Sequence, residues 1–249
     1  MDVMIKTIWA VIYTIISMIF VVPFGLIAMI IRLFGMKKLS MLIVHKVAKY
    51  WALMIIKVTG SKITVAGQEN IPKKGGVCFV SNHGSYFDIA VLLAYCDRHI
   101  GFIAKKELIW IPILNLWIFM IGGLFIDRST VRKAFHTINK GVKKIQSGGA
   151  MIIFPEGHRS KSDELLPFHA GSLKLATIAH APIVPVAIKG SRNVFEKTNR
   201  VKAAAINVTF CEPVITADIP SEDKKTILSD RIHRVISEQL SADNQKKSV

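Results

Sequence analysis

Residues 77–88 read VCFVSNHGSYFD, an apolar run followed directly by a polar turn. The run predicts a buried strand, and Gly84 and Ser85 permit the chain to turn before a helix begins. On one continuous helix, residues five apart lie about 140° apart around the axis, so His83 and Asp88 can meet only across such a turn. A neutral imidazole held by a carboxylate is the usual acceptor of a hydroxyl proton at neutral pH. The stretch alone fits equally well a loop histidine followed by an unrelated aspartate at a helix start.

Short apolar runs like this one recur along the chain and alternate with helical patterns. The predicted strands cover residues 62–65, 77–80, 100–104, 124–126, 150–154, 183–188 and 206–210. The predicted helices between them cover residues 86–95, 131–146 and 172–180, the second with Thr130 as its N-cap. Alternation of this kind predicts the α/β class, with a mainly parallel sheet and helices on its faces.

The first sixty residues differ from the rest because they are apolar over long stretches. Residues 7–31 carry no charge, and as a helix they would span about 37 Å, enough to cross a hydrocarbon core of about 30 Å. Pro23 and Gly25 would either kink a crossing helix or split it into two pieces that enter one leaflet. Residues 39–58 predict an amphipathic helix along the membrane interface. The alternative for both segments is a buried pair of core helices.

The charge of the chain predicts where it acts. The sequence has 33 Lys and Arg against 17 Asp and Glu, a net charge of +16, and it is 51% hydrophobic. A chain that is both apolar and cationic favours an anionic membrane surface as its partner, and it has no recognisable module for reading nucleic acid. Arg32, Lys37 and Lys38 follow the first apolar segment, which by the positive-inside rule places the remaining chain on the cytoplasmic face of the membrane.

These patterns divide the sequence into three parts. Residues 1–60 are expected to anchor the chain to the membrane, residues 61–240 to form the α/β domain, and residues 241–249 to be a polar tail. Residues 221–240 predict the last helix, and the apolar block at 108–123 fits either a core helix or a second lipid-facing surface. The three cysteines are widely spaced without a CxxC pair, which indicates reduced thiols and neither a disulfide framework nor a cysteine zinc site.

Charged residues stand at the ends of three further predicted strands, where α/β folds place their chemistry. The segment GGLFIDR, residues 122–128, ends in Arg128, and FPEGHRS, residues 154–160, contains Arg159. Lys105 follows the third predicted strand. The guanidinium group suits a phosphate because it donates two parallel hydrogen bonds. Each arginine alone is most often a solvated charge, whereas all these clusters in order predict one shared site.

Taken together, these segments resemble the blocks of the glycerolipid acyltransferase family. A His-x4-Asp block stands at 83–88, Gly-x2-Phe-Ile-x-Arg at 122–128, Phe-Pro-Glu-Gly at 154–157 and Val-Pro-Val at 184–186. The ordered set is specific, whereas any one block alone is not. The similarity is greatest to the members that acylate 1-acylglycerol 3-phosphate to phosphatidic acid. It implies transfer of a fatty acyl group from acyl-CoA or acyl carrier protein to the hydroxyl of a lysophospholipid.

The resemblance also implies roles for the residues of the reacting centre. His83 would act as general base, Asp88 would orient it, and Lys105, with backbone amides, would lie near the developing oxyanion. Because a thioester is already activated, direct transfer requires no acyl-enzyme, no cofactor and no metal. The sequence contains no GxSxG elbow, which argues against a serine hydrolase of that type.

On the acceptor side, the resemblance implies that Arg128 and Arg159 face the phosphate of the lysophospholipid. Glu156 and Gly157 would shape the turn of their block. The expected partners are therefore an acyl-CoA or acyl carrier protein, a lysophospholipid acceptor and a membrane, with no nucleic acid.

Two histidines depart from the family pattern, since His158 stands where threonine is usual and His169 where lysine is usual. A titratable group thereby replaces a permanent cation, which leaves the acceptor open between 1-acylglycerol 3-phosphate, another lysophospholipid and glycerol 3-phosphate. The same histidines with His83 and Asp88 would suit a metal-dependent hydrolase, although no HExxH spacing is present. A non-catalytic basic protein held at the membrane surface is the remaining alternative.

Overall fold

The computed structural model describes residues 3–169, 171–216 and 227–245, and in these residues a sheet of seven strands forms the centre of the domain. The strands are β1 (Lys62–Ala66), β2 (Val77–Ser81), β3 (Ile100–Lys105), β4 (Leu124–Ile126), β5 (Ala150–Ile153), β6 (Ile183–Lys189) and β7 (Ala205–Phe210). Every predicted strand is present, and each begins and ends within one residue of its predicted bounds. The predicted α/β class is confirmed.

The strands follow the order β1-β7-β6-β2-β5-β3-β4. Neighbouring strands are parallel except β6 and β7, which are antiparallel. All residues of the central strands β2 and β5 are buried, as expected for parallel strands covered on both faces. The predicted mainly parallel sheet is therefore confirmed. Its consequence is that the loops after β2, β3, β4 and β5 emerge side by side at one edge.

Helices α1 (Val3–Leu33) and α2 (Lys37–Thr59) precede the sheet, and α3 (Phe87–Tyr95), α4 (Leu114–Met120), α5 (Val131–Gln146), α6 (Lys174–Ala179) and α7 (Ile227–Gln245) cover it. α5 has its predicted bounds, and its N-cap Thr130 accepts from the Lys133 N–H at 3.3 Å. α7 continues beyond its predicted end at residue 240, and residues 221–226 of that prediction lie outside the described residues. The division into an anchor, a domain and a tail stays a prediction.

Two apolar clusters pack on opposite faces of the sheet, because successive residues of a strand face opposite sides. Phe79 of β2 belongs to the cluster under α2 and α3, whereas Val80 belongs to the cluster under α5, α6 and α7. α2 contributes a buried row at helical spacing: Val44, Ala48, Ala52, Ile55 and Ile56. Its other side leaves Tyr50 and Met54 exposed. The helix expected at the membrane interface is thus also a core helix of the domain.

α1 is one unbroken helix that lies along α2 and α4. Near its start, the Thr7 hydroxyl accepts from the Val201 N–H at 2.9 Å, and in its middle the Met18 carbonyl accepts from Trp117 Nε1 at 3.1 Å. Pro23 lies inside the helix without splitting it. Most large apolar side chains of α1 are exposed, and both α1 and α2 are long and apolar enough, by length and composition, to cross a membrane.

The apolar block at 108–123 combines the two structures that its sequence predicts. Within it, α4 buries Trp117 and Met120. By contrast, Trp110 is 85% exposed and Phe119 is 61% exposed. The block therefore packs on one side and presents an aromatic surface on the other.

Candidate active site

His83 and Asp88 meet across the turn that joins β2 to α3. His83 Nδ1 lies 2.9 Å from Asp88 Oδ2, and the backbone N–H groups of Gly84 and Ser85 donate to the same oxygen, each at 2.9 Å. Asp88 is fully buried in the first turn of α3, where the positive end of the helix dipole stabilises a carboxylate. The turn expected at Gly84 and Ser85 is thus what brings the pair together.

The hydrogen bonds around Asp88 decide which nitrogen of His83 is free. Asp88 Oδ2 accepts two backbone N–H groups, which identifies it as a carboxylate oxygen that also accepts from His83 Nδ1. With the hydrogen on Nδ1, the neutral imidazole keeps a lone pair on Nε2. The His83 side chain is 17% exposed, so a substrate can reach it. An imidazole in this state can accept a proton from a hydroxyl group.

An aromatic side chain supports the His83 ring. The ring is stacked on Phe154, with centroids 4.1 Å apart and planes 18° apart. Phe154 follows β5, the neighbour of β2, and it is stacked in turn on Phe102 of β3 at 6.5 Å. Because one face of the ring rests on Phe154 and its Nδ1 is bound to Asp88, the direction of Nε2 is fixed.

Glu156 ties the block after β5 to the His83 turn. Its Oε1 accepts from the His83 N–H at 2.6 Å, and its Oε2 accepts from the Leu166 N–H at 3.1 Å. The Ser160 N–H donates to the His83 carbonyl at 2.8 Å. Burial raises the pKa of Glu156, while the two N–H groups act to lower it. These contacts agree with the shaping role that the resemblance implies for Glu156, which stays a prediction.

Gly157 brings Arg128 and His169 together. Gly157 has a φ of +75°, and a Cβ built on it would lie 2.7 Å from Arg128 Nη1 and 2.8 Å from His169 Nε2. Arg128 Nη1 also donates to the Gly157 carbonyl at 3.0 Å. Glycine alone fits both the left-handed backbone and this close approach. His169, which stands where the family usually has lysine, therefore lies beside Arg128, one of the two predicted phosphate-binding arginines.

Arg159 is held by residues that the sequence did not single out. Its guanidinium carbon lies 3.5 Å from the centre of the Tyr86 ring, and its Nη1 donates to Glu196 Oε1 at 3.2 Å. Glu196 also accepts from Ser85 Oγ at 2.6 Å and from the Tyr86 N–H at 2.8 Å. The one sequence signal for Glu196 is that it is a single acid among the basic residues of 189–202. The arginine is thereby connected to the turn that carries the His83 pair.

Lys105 is not drawn into these contacts. It is the exposed last residue of β3, and it forms no hydrogen bond or ion pair with the part of the chain that the structure describes. The neighbouring Lys106 pairs instead with Asp127 at 3.1 Å. The implied place of Lys105 near an oxyanion stays a prediction. Glu156 bonds the His83 turn directly, and Arg159 is linked to it through Glu196. Arg128 contacts Gly157, the residue that follows Glu156.

A cavity of about 600 Å³ lies between the His83 turn and α7. Its wall includes Asn82, Glu156 and Arg192, with His233 and Ser237 contributed by α7. Within the described ranges, no group of three or more His, Cys, Asp or Glu side chains is placed to hold a metal ion.

Known proteins resemble this chain in both sequence and structure. The family model for acyltransferases matches residues 62–189. A 1-acyl-sn-glycerol-3-phosphate acyltransferase of Cocos nucifera is 31% identical over 189 residues, which are 75% of this chain and 60% of that relative. A protein of the same name from Borreliella burgdorferi is 30% identical over 183 residues, which are 74% of this chain and 73% of the relative.

A solved structure extends the likeness over nearly the whole chain. It is the crystal structure of the 1-acyl-sn-glycerophosphate (LPA) acyltransferase, PlsC, from Thermotoga maritima. The match has a TM-score of 0.78 and 26% identity, and it covers 96% of this chain and 98% of that one. The N-terminal helices are therefore part of the shared fold, even though the chain spans only about 60% of the length of the coconut relative.

Proposed function

The chain belongs to the acyltransferase family, and from this premise we propose that it transfers a fatty acyl group from an acyl thioester to the free hydroxyl of 1-acylglycerol 3-phosphate, giving phosphatidic acid. The observation that carries the proposal is the contact between His83 and Asp88 in a turn that Glu196 connects to Arg159. This arrangement supplies a base for a hydroxyl and a cation for a phosphate in one place. The names of the similar proteins support the choice of acceptor.

The proposed reaction is a direct transfer. His83 Nε2 takes the proton of the acceptor hydroxyl as its oxygen attacks the thioester carbonyl carbon, and Asp88 stabilises the imidazolium that forms. The tetrahedral intermediate then collapses, the carbon–sulfur bond breaks, and the proton passes from the imidazolium to the leaving thiolate. Lys105 and backbone N–H groups are the proposed donors to the oxyanion, each worth about 3–4 kcal/mol in comparable sites.

Arg159 is the proposed principal contact of the acceptor phosphate. Its side chain is 32% exposed and rests on the Tyr86 ring, and the bond to Glu196 occupies only one of its five N–H donors. Arg128, which flanks Gly157, is the second proposed contact. Because His169 adjoins Arg128, another lysophospholipid or glycerol 3-phosphate remains the alternative acceptor.

The proposed donor is acyl-CoA or acyl carrier protein, both of which are anionic and suit a chain of net charge +16. The proposed place of action is the cytoplasmic face of a membrane. Supporting this are the exposed apolar side chains of α1 and the basic residues Arg32, Lys37 and Lys38 that follow them.

The decisive experiment is a transfer assay with the purified full chain, in which a panel of acyl donors is combined with a panel of acceptors. We expect the highest rate with 1-acylglycerol 3-phosphate. We also expect His83→Ala to lower kcat by about 10²–10⁴-fold, because general-base catalysis is lost. Circular dichroism and vesicle binding should be unchanged. His136→Ala, which removes an exposed imidazole on α5, is the matched control and should retain activity.

Two results would contradict the proposal. Full activity of His83→Ala would remove His83 from the mechanism, and no transfer to any acceptor by well-folded wild-type protein would favour a non-catalytic membrane-surface protein. Direct transfer is tested separately by quenching the reaction during turnover. An acyl group trapped covalently on the protein would replace it with a two-step mechanism.

A further inference from the structure

Four basic side chains converge at the edge of the sheet opposite the candidate active site. Arg32 lies in the last turn of α1, His45 lies on α2, His99 directly precedes β3, and Lys144 lies in the last turn of α5. We call them the basic cluster. They lie at the amino end of β3, whereas His83 follows the carboxyl end of β2, a strand of the same direction. The basic cluster is therefore separate from the site of transfer.

In the basic cluster, one nitrogen of Lys144 and one nitrogen of His99 lie close to Gly122. A Cβ built on Gly122 would lie 3.4 Å from Lys144 Nζ and 3.7 Å from His99 Nε2. Lys144 donates one of its three N–H bonds to the Gly122 carbonyl, so two remain. The rings of His45 and His99 meet edge to face at 6.4 Å, and neither ring forms a hydrogen bond with a described residue. Two Lys144 N–H donors and a His99 ring nitrogen are thus available beside Gly122.

Among the described residues, no carboxylate contacts the basic cluster. Burial, together with the positive charges of the other three members, lowers the pKa of His99 to about 4. Burial and the charge of Arg32 also lower the pKa of Lys144. Asp97 is the acid beside the cluster, but it is 76% exposed and pairs with Lys49 at 3.4 Å. An anion bound between these groups would remove their mutual repulsion.

An exposed apolar surface adjoins the basic cluster and indicates which anion it meets. Leu33 and Phe34 follow Arg32 directly and are 86% and 79% exposed, and Met36 is exposed as well. Apolar side chains of this kind enter a bilayer interface, where neighbouring cations meet lipid phosphates. We propose that the basic cluster binds the phosphate group of an anionic membrane phospholipid. The inference rests on the proposed action of the enzyme at a membrane.

The first test follows the titration of His99 in the full chain by NMR, with the ring signals assigned by His99→Gln. The protein is bound to vesicles of neutral phosphatidylcholine or of phosphatidylcholine with added phosphatidylglycerol. Since a bound anion favours the charged imidazole, anionic vesicles should raise the pKa of His99 by at least about one unit. Equal titration on both kinds of vesicle would overturn the inference. A rise with inorganic phosphate alone would overturn the assignment to a lipid headgroup.

The second test measures affinity for the same vesicles. Lys144→Gln should weaken binding to anionic vesicles by about fivefold, as expected for one basic residue at a charged surface. Lys143→Gln, the same change at the preceding position of α5, should stay within about twofold of the wild type because it lies outside the basic cluster. Equal losses of affinity in the two variants would show general charge attraction and would overturn a specific site at the basic cluster. Should Lys144→Gln fail to fold, the His99 titration of the wild type decides.

Acyl transfer is measured in the same samples, so that this inference and the proposed function can fail independently. Normal transfer with an unchanged His99 titration overturns the lipid site alone. Absent transfer with the expected rise in the pKa of His99 counts against the proposed function and leaves the lipid site standing.

Discussion

At the level of single residues, Glu196 holds two parts of the candidate site with one carboxylate. Its Oε2 accepts from the Ser85 hydroxyl, and its Oε1 accepts from both the Tyr86 N–H and the Arg159 guanidinium. The Glu196 side chain is only 13% exposed, so these charge-assisted bonds are shielded from water. Glu196 is therefore a positioning residue, which sets the direction of Arg159 relative to the turn of His83.

Neutralising Glu196 should weaken acceptor binding more than it slows chemistry. Glu196→Gln keeps the shape of the side chain but loses the charge that holds Arg159. We expect the KM for the acceptor to rise about tenfold, in line with the loss of one charge-assisted hydrogen bond, while kcat falls less. Steady-state kinetics against acceptor concentration measure the split. Glu238→Gln, an exposed glutamate on α7, is the control, and an unchanged or lower KM in Glu196→Gln would contradict the assignment.

His99 should make the stability of the protein depend on pH. Its pKa is lowered from 6.5 to about 4 in the folded chain, so the unfolded chain binds the proton more readily. The free energy of unfolding therefore has its full value above pH 6.5. It declines as the pH falls from 6.5 toward 4, by roughly 3 kcal/mol if this group acts alone. Urea unfolding in neutral detergent across that range measures the decline. His99→Gln should reduce it and His136→Gln should not; equal slopes in both would refute the prediction.

Parts of the site could be predicted because they depend on local chain geometry. His83 and Asp88 meet through a turn, and Gly84 and Ser85 indicate that turn in the sequence. Glu196 could not be predicted, because it binds Ser85 across 111 positions and belongs to no periodic pattern. The position of Lys105 at a strand end predicts that it lies at the shared edge, but its role near an oxyanion is implied by the resemblance alone, and the described contacts do not include Lys105.

At the level of elements, the N-cap of α5 offers a simple test of local stability. Thr130 accepts the Lys133 N–H, one of the groups that a helix start leaves without a partner. Thr130→Ala should lower the free energy of unfolding by about 1 kcal/mol. Thr130→Ser, which keeps the hydroxyl, should restore most of it. Chemical denaturation measures both variants, and equal destabilisation by Ala and Ser would show that the hydroxyl is not the cause.

The strands were predictable as elements, whereas their arrangement was not. Short apolar runs, most of them with β-branched residues, mark each strand within its own sequence. The position of β7 between β1 and β6, antiparallel to β6, depends on pairing between distant segments that no local pattern encodes. The same holds for α2, whose apolar residues are shared between the core and the exposed side. Composition alone does not tell which apolar residues of α2 enter the core and which stay exposed.

At the level of the whole molecule, α1 follows the surface of the domain instead of leaving it. Thr7 contacts Val201 and Met18 contacts Trp117, so the first and the middle turns both touch the folded domain. A helix held in this way along its length favours the embedded interpretation of the apolar segment over a perpendicular crossing. The exposed side of α1 would then enter one leaflet.

Spin labels on α1 test this arrangement. Ile5 and Ile27 are both exposed, near opposite ends of the helix. In a helix that lies in one leaflet, labels at Ile5→Cys and Ile27→Cys should have similar depths by accessibility to oxygen and to a water-soluble relaxant. A label at Lys140→Cys on α5 should remain in water. A crossing helix would instead place the first two labels near opposite surfaces of the bilayer, with a label at Ile16→Cys deepest.

The partnership of β1 with β7 constrains how the protein is made. Lys62 pairs with Ala205, about 140 positions later, so at usual rates of translation β1 emerges on the order of ten seconds before its partner. During that interval the nascent chain exposes an unpaired strand next to two apolar helices. Such a state favours binding by a chaperone or early association with the bilayer. A chain truncated before residue 205 would therefore lack the partner of β1, and we expect it to aggregate instead of forming a smaller active enzyme.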